Sequence, residues 1–179
     1  MLKPRLALLI AMIAAAAATR LMPHPPNITA ISAMALFGGA TFADKRLAFL
    51  VPLAALFASD LVLGLYRGME YQYLTFALIV CLGFFLQSRR RVLPIAGAAV
   101  ASSTIHFIVT DFGTWMTGTM YPHTVAGLVT CYTAAIPFFW NTLAGDLFYT
   151  ALLFGGFAAL ERTFPILRDV ATPRTALAA

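Results

Sequence analysis

Ionisable side chains lie inside apolar stretches of this sequence, where their types and positions could support chemistry. Asp60, His106 and Asp146 are each surrounded by apolar residues, and Asp111 follows the stretch that holds His106. A charged group at the centre of a bilayer costs about 2.5–3.5 kcal/mol or more, so such residues usually face a substrate pathway or one another. We therefore predict ligand-binding roles for all four. For Asp60 and Asp146, a structural role between two helices is an open alternative.

Polar residues recur at intervals of three or four around two of these groups, a spacing that places them on one face of a helix. The first stripe consists of Ser102, His106 and Thr110, and the second of Thr142, Asp146, Tyr149 and Thr150. We interpret the Ser and Thr side chains as interhelical hydrogen-bonding groups. This leaves His106 and Asp146 as the ligand-binding candidates of the two stripes.

Two segments between apolar stretches carry groups suited to the capture of a large amphipathic ligand. The first runs from Arg20 to Asn27 and contains three prolines, which stiffen it. The second runs from Asp111 to His123 and mixes aromatic rings, glycines and hydroxyl groups. The binding residues predicted in these segments are His24, Asn27, Asp111, Trp115 and Tyr121. For the aromatic residues, including Trp140, a place in the aromatic belt at the membrane interface is an equal alternative.

The two cysteines, Cys81 and Cys131, both lie in apolar parts of the sequence. Nothing in their spacing indicates a disulfide framework or a CxxC zinc site. We interpret Cys81 as a small packing residue or, alternatively, as a soft thiolate ligand for a transition metal. The sequence shows no closed set of metal ligands. A metal would therefore arrive already held by another molecule, and Cys81 would complete its coordination.

These residues belong to a chain of 179 residues, of which 61% are hydrophobic and 11% charged, with a mean hydropathy of +0.85. A soluble domain has about 25% charged residues. The composition therefore excludes an ordinary soluble domain, a disordered tail and a nucleic-acid-binding module. A membrane helix takes roughly 20 residues, which leaves room for five or six spans. We predict a single all-α membrane domain over residues 1–179, in contact with the lipid bilayer.

Six spans account best for the apolar stretches. The first five are predicted at about 6–19, 28–43, 47–66, 71–88 and 93–110. In the last stretch, Pro137 argues against an uninterrupted helix, because proline disfavours helical geometry in the residue before it. We therefore predict an outer loop over 111–140 and a final span over 141–161. A seventh span over 124–140 is the alternative.

The basic residues indicate the orientation of the spans. With six spans, both termini are cytoplasmic and ten of the twelve Lys and Arg residues lie inside, leaving Arg20 and Arg67 outside. With seven spans, seven basic residues would lie inside and five outside, which fits the positive-inside rule less well. The predicted outer loops are then about 20–27, 66–71 and 111–140. A cleaved signal peptide is an alternative for the first stretch, since Lys3 and Arg5 precede it and alanines end it.

Several segments resemble S-components, the substrate-binding membrane subunits of energy-coupling-factor (ECF) vitamin transporters. The most specific segment is the Pro-His-Pro-Pro-Asn sequence that ends at Asn27, within a stretch that extends from Arg20 to Ala40. Residues 51–64, 101–121 and 136–161 fit the same pattern. Within that group, the chain is most similar to the BtuM-type solitary S-components, which transport cobalamin. Their distinguishing cysteine, which ligates cobalt below the corrin ring, corresponds to Cys81.

The resemblance implies six helices with cytoplasmic termini, an outward-facing pocket closed by loops, and uptake of cobalamin across the bacterial inner membrane. A thiolate at Cys81 that ligates cobalt could also labilise an upper cyanide, so Cys-assisted decyanation is a second expected activity. The binding residues expected from the sequence and the resemblance together are His24, Asn27, Asp60, Cys81, Phe84, His106, Asp111, Trp115, Tyr121 and Asp146. The Ala-rich first helix would face an ECF coupling module. ATP hydrolysis would belong to that module, because this sequence has no P-loop motif.

Other functions stay open at this point. The first is an S-component for another vitamin or small metabolite, in which Cys81 is only packed. The second is a membrane enzyme that uses Asp60, His106 and Asp146 as acid–base groups, although no nucleophile and base stand at a recognisable spacing. A purely structural subunit is disfavoured, because the two polar segments carry more binding groups than a structural subunit needs.

Overall fold

A computed structural model describes residues 3–89 and 91–168 of the chain. These described residues form six α-helices, two short 3₁₀ turns and no strand, which confirms the prediction of an all-α fold. The helices are α1 (Pro4–Ala18), α2 (Ile31–Thr41), α3 (Lys45–Leu63), α4 (Met69–Phe84), α5 (Val92–Thr117) and α6 (Val125–Thr163). The 3₁₀ turns are Thr19–Leu21 and Pro165–Leu167.

Four of the described helices are long and apolar enough to cross a membrane: α1 with the turn that follows it, α3, α5 and α6. The other two are shorter. With 11 residues and a rise of about 1.5 Å per residue, α2 is roughly 16 Å long, about half the hydrocarbon thickness of a bilayer. These dimensions are compatible with a multi-pass membrane protein in which shorter helices pack among longer ones.

Helix α2 forms the centre of the bundle, and every one of its residues is buried. It packs against all five other helices. The closest approach is to α4, at Gly39 and Gly83. A Cβ atom on Gly39 would lie 2.2 Å from the carbonyl oxygen of Val80, and one on Gly83 would lie 2.6 Å from that of Leu36. The two backbones meet because neither glycine has a side chain, as is common where membrane helices pack.

The chain runs back and forth, so its connections collect at two ends of the bundle. We call the end with residues 19–30, 64–68 and 118–124 the loop-rich end. The opposite, basic end holds residues 42–44, 85–89 and 91 and both ends of the described chain, joined by an ion pair between Arg5 and Glu161. Among the described residues, this basic end has Lys3, Arg5, Lys45, Arg46, Arg89, Arg91, Arg162 and Arg168. Of the lysines and arginines that the structure describes, only Arg20 and Arg67 lie at the loop-rich end.

The charge distribution is the one that the six-span orientation predicts, with the basic end on the cytoplasmic side. Arg90 and Arg174, which that orientation also counts as cytoplasmic, lie outside the described residues. Helix α1 packs against α2 and α3 and buries Leu9 and Ile13. The first apolar stretch is therefore a packed element of the bundle in this structure.

The predicted outer loop over 111–140 is wrong for most of its length. Helix α5 continues to Thr117, α6 begins at Val125, and the connection between them covers only residues 118–124. Pro137 lies inside α6 without ending it. A proline costs one intrahelical hydrogen bond, and α6, which packs against α5, continues through it. The predicted final span over 141–161 is the second half of this 39-residue helix.

Candidate ligand-binding site

A cavity of about 270 Å³ lies at the loop-rich end, between α5, α6 and the segment 19–30. Its wall combines a carboxylate, an imidazole, an amide, two hydroxyl groups and three phenyl rings. The residues that line it are Asn27, His106, Phe107, Thr110, Asp111, Ala135, Phe138, Phe139 and Thr142. Five polar and four apolar residues line the cavity, so it combines apolar contact surface with several polar groups that can orient a small ligand.

Helical periodicity explains why these residues share one cavity. The residues from α5 lie at positions i, i+1, i+4 and i+5 from His106, and those from α6 at i, i+3, i+4 and i+7 from Ala135. Each set occupies one face of its helix. The two helices run in opposite directions, and the two faces meet over about two turns.

The segment 19–30 completes the cavity by packing closely on α6. The Asn141 side-chain amide donates a hydrogen bond of 3.0 Å to the carbonyl oxygen of Pro26. One turn further along, a Cβ on Gly145 would lie 3.1 Å from the Cα of Ile28. Next to this contact, Asn27 adopts a left-handed φ of +63°, which Asn tolerates better than most residues. These contacts place Asn27 at the cavity wall.

The polar groups of the cavity have unused hydrogen-bonding capacity. The buried His106 Nδ1 has no hydrogen-bond partner among the described residues. The Thr110 and Thr142 hydroxyls donate to the carbonyl oxygens of His106 and Phe138, at 2.8 and 3.1 Å. The oxygen of each hydroxyl can still accept a hydrogen bond. With the Asp111 carboxylate, the site is thus rich in acceptors.

The aromatic side of the cavity is held in place by ring contacts. The Phe107 ring lies 5.2 Å from that of Phe139 and 5.4 Å from that of Tyr132, measured between centroids. The Tyr132 hydroxyl donates to the carbonyl oxygen of Ile108 at 2.6 Å, which fixes this ring against α5. These contacts hold the Phe107 and Phe139 rings in place at the cavity.

Asp146 lies one turn deeper than Thr142, outside the cavity lining. It is 2% exposed, and its carboxylate accepts a 2.7 Å hydrogen bond from the Ser103 hydroxyl. Ser32 of α2 also lies within hydrogen-bonding reach of the same carboxylate. Asp146 thus connects α2, α5 and α6 beneath the cavity, as in the structural alternative for this residue.

Asp60 is also engaged in a structural contact, at some distance from the cavity. Its carboxylate forms a 2.8 Å ion pair with Arg20 and accepts a 2.9 Å hydrogen bond from the Tyr73 hydroxyl. Arg20 also donates to the Ser59 hydroxyl. The cluster joins the end of α1 to α3 and α4, and the charges of Arg20 and Asp60 neutralise one another.

Cys81 and Phe84 do not join the cavity. The buried face of α4 consists of Gln72, Thr75, Phe76, Ile79, Val80 and Gly83. Cys81 falls on the opposite, exposed face with Leu78 and Phe85. Phe84 lies at the basic end, with its ring centroid 5.7 Å from that of Phe49 and 5.6 Å from the Lys45 ammonium. The predicted position of Cys81 halfway along the fourth helix is wrong, because α4 ends at Phe84 and Cys81 lies in its last turn, with its side chain exposed.

The remaining predicted residues lie at the loop-rich end without lining the cavity. His24 is exposed, with its Nδ1 3.0 Å from the carbonyl oxygen of its neighbour Pro25. The Trp115 indole donates to the carbonyl oxygen of Pro122 at 2.9 Å and so closes the connection between α5 and α6. Tyr121 belongs to that connection. Of the ten predicted binding residues, the structure brings Asn27, His106 and Asp111 together.

Sequence reasoning missed the contribution of α6 to the cavity. Three of its residues, Ala135, Phe138 and Phe139, fall in the loop predicted over 111–140, where helical spacing has no meaning. The Thr142 hydroxyl was interpreted only as an interhelical group. Phe107 was also missed, and the Thr110 hydroxyl was interpreted only as an interhelical group. The i, i+3, i+4, i+7 pattern from Ala135 is the signal that would have revealed the site.

The described residues contain no group of three His, Cys, Asp or Glu side chains that could hold a metal ion. The cavity is also small. Sites for drug-sized ligands span roughly 300–1,000 Å³, and a corrinoid is larger than such ligands. The arrangement suits a small organic solute better than a metal ion or a corrinoid.

The comparisons with known proteins identify a family but no activity. No curated protein and no solved structure matches the chain. The profile of a family of unknown function (DUF6580) matches residues 1–167, which includes all six helices and the cavity. The chain therefore belongs to this family, DUF6580.

Proposed function

We propose that this protein is a multi-pass membrane protein that binds a small vitamin or metabolite and serves as the substrate-binding subunit for its uptake. The observation that carries the proposal is the cavity between α5 and α6, where His106, Asp111 and Asn27 share the lining with three phenyl rings. His106 lines the cavity, and its buried Nδ1 has no hydrogen-bond partner among the described residues, which is the kind of polar group that a bound ligand can satisfy.

The orientation of the bundle supports uptake. The positive-inside rule assigns the basic end to the cytoplasm, so the cavity would open toward the outside of a bacterial inner membrane. The resemblance of the loop-rich segments to S-components agrees with this direction. An ECF coupling module is the partner that such a subunit would use for release of the solute.

For the identity of the solute, the exposed position of Cys81 favours the alternative in which this residue is not a ligand. A corrin ring in the cavity between α5 and α6 would not reach a side chain on the outer face of α4. Cobalamin uptake and Cys-assisted decyanation therefore receive no support from the geometry. The enzyme alternative is weakened in the same way, because Asp60 and Asp146 are engaged in structural contacts.

A binding screen on a matched pair of variants tests the proposal. Ala135 lines the cavity, whereas Ala134 is exposed beside it. Ala135→Trp should fill the cavity, and Ala134→Trp adds the same side chain outside it. Purified protein in detergent micelles would be screened against vitamins and small metabolites by thermal shift. We expect at least one compound that stabilises the wild type and Ala134→Trp but not Ala135→Trp. Equal responses of both variants to every compound would exclude the cavity as the site.

Cobalamin forms a separate arm of this screen. If Cys81 is not a cobalt ligand, the visible spectrum of cobalamin mixed with the wild type will equal that with Cys81→Ala. A change in the cobalt absorption that requires the thiol would instead restore the cobalamin hypothesis. The two results concern Cys81 alone and are independent of the variants at Ala135.

A further inference from the structure

We propose that the cavity recognises an organic cation, with its positive charge on an ammonium-type group attached to a small apolar or aromatic body. This inference rests on the proposed function, since it names the class of solute that the same cavity would bind. The argument uses the charge of the wall, the position of the rings and the size of the cavity.

The wall of the cavity has one unbalanced negative charge. Asp111 is its acidic residue, and no lysine or arginine is among the described residues that line it. No ion pair joins Asp111 to a basic side chain in the described chain, whereas Arg20 neutralises Asp60. A cationic ligand would neutralise Asp111, and an anionic ligand would be repelled by it and would find no lysine or arginine in the described lining.

The phenyl rings add a second attraction for a cation. Phe107, Phe138 and Phe139 all line the cavity, and Phe107 and Phe139 pack with centroids 5.2 Å apart. A cation within about 6 Å of a ring centroid is attracted by the negative face of the ring, which is how aromatic cages bind quaternary ammonium groups. The combination of one carboxylate with several rings favours a cation that also has apolar surface.

The remaining wall groups suit the polar part of such a ligand. The Thr110 and Thr142 oxygens and the Asn27 side chain can accept hydrogen bonds from a hydroxyl or amino group of the solute. One water accounts for about 30 Å³ of liquid volume. A cavity of about 270 Å³ therefore holds the volume of roughly nine waters, enough for a ligand with one ring or a branched alkyl group.

A charge series with nearly constant shape tests this inference. The probes are choline, its neutral carbon analogue 3,3-dimethylbutan-1-ol and the anion 3,3-dimethylbutanoate, with benzyltrimethylammonium as an aromatic cation. Binding to the full-length protein in nanodiscs would be measured by isothermal titration calorimetry. We expect at least one of the two cations to bind at least tenfold more tightly than the neutral alcohol, and the anion not to bind.

Matched variants connect the selectivity to the named residues. Asp111→Asn should lower the affinity for the cation, relative to that for the neutral alcohol, at least tenfold. Glu70→Gln removes an exposed carboxylate at the same end of the bundle and should preserve that preference. Phe139→Leu should weaken binding of the cation more than Phe148→Leu does, since Phe148 is 61% exposed and lies outside the cavity lining. A preference for the cation that survives Asp111→Asn would overturn the inference.

The outcome also separates this inference from the proposed function. If neither cation binds more tightly than the neutral alcohol or the anion, cation recognition is wrong. The proposed function still stands in that case, provided that another solute binds the wild type and Ala134→Trp but not Ala135→Trp. If the Ala135→Trp variant binds every compound as the wild type does, the site itself is wrong and both proposals fail.

Discussion

At the scale of single residues, three aspartates in similar apolar contexts have three different environments. Asp60 is paired with Arg20, Asp146 accepts a hydrogen bond from Ser103, and Asp111 faces a cavity. The partners decide the role. A carboxylate that the protein itself satisfies holds helices together, whereas one that it leaves facing a cavity can recognise a ligand.

The Asp60 cluster leads to a prediction about stability. Asp60 is 1% exposed and Arg20 is 9% exposed, so Asp60→Asn leaves a buried guanidinium without its counterion. Loss of one partner of a buried ion pair typically costs about 3–5 kcal/mol. We expect a loss of this size in the free energy of unfolding, measured by denaturant titration in detergent micelles. Glu70→Gln, which removes an exposed carboxylate, should change it by less than about 0.5 kcal/mol.

A double variant tests whether the cost comes from the unpaired charge. Replacement of a buried pair by apolar residues of similar size is often neutral or stabilising. The combination Arg20→Met with Asp60→Leu should therefore unfold at higher denaturant than Asp60→Asn alone. A double variant as unstable as the sum of its single variants would contradict the assignment of Asp60 to a structural pair.

The sequence identifies these ionisable residues as structurally or functionally important, but it does not predict which of them pair within the protein and which face a cavity. An ionisable group in an apolar stretch is visible in the sequence itself. Its partner is not, because Arg20 precedes Asp60 by 40 positions and reaches it only once α1 packs on α3. The same holds for Cys81, whose exposed direction depends on which face of α4 packs against α2.

At the scale of elements, the contact of α2 with α4 predicts a strong dependence on two glycines. In Gly39→Ala, the new methyl group would lie 2.2 Å from the carbonyl oxygen of Val80, so the helices would have to separate. Overpacking of this kind costs about 1–3 kcal/mol. We expect a lower unfolding temperature for Gly39→Ala, measured by scanning fluorimetry.

Gly97 supplies the matched control for this prediction. It lies within α5, and a Cβ at this position would meet no atom within 4 Å. Gly97→Ala should be neutral or stabilising by up to about 1 kcal/mol, because alanine favours a helix more than glycine does. Equal effects of Gly39→Ala and Gly97→Ala would show that α2 and α4 do not approach as described.

The first half of α6 is the element that sequence reasoning placed wrongly. Pro137 argued against an uninterrupted helix in the last apolar stretch, yet α6 continues through it and contributes Phe138 and Phe139 to the cavity. The Thr124 hydroxyl caps the helix by accepting a 3.1 Å hydrogen bond from the Gly127 amide. Tyr132 before the proline and Phe139 after it both pack against Phe107 of α5, and such tertiary contacts are not visible in a single sequence.

At the scale of the whole molecule, the orientation of the bundle makes a prediction about accessibility. Thr119 lies in the connection 118–124 at the loop-rich end, and Ser88 lies in the connection 85–91 at the basic end, both exposed. In a background in which both cysteines are replaced by serine, Thr119→Cys should react with a membrane-impermeant maleimide added outside intact cells. Ser88→Cys should react only after the membrane is permeabilised. The opposite labelling pattern would reverse the orientation and place the cavity on the cytoplasmic side.

The number of helices and the separation of basic residues were correctly predicted at this scale. Both follow from properties that act along the chain, namely the length of apolar stretches and the positions of lysines and arginines. The cavity was only partly predicted, because it requires α5, α6 and the segment 19–30 to meet, and sequence spacing does not reveal which helices are neighbours.

The most direct test of the binding site is the mass of the solute that the protein retains. The wild type, Ala134→Trp and Ala135→Trp would each be incubated with a metabolite extract, purified again and examined by native mass spectrometry. The proposed function predicts the same small bound species in the wild type and Ala134→Trp, and its loss from Ala135→Trp. An Ala135→Trp protein that retains this species, or a wild type that retains none, would contradict the assignment of the cavity as the binding site.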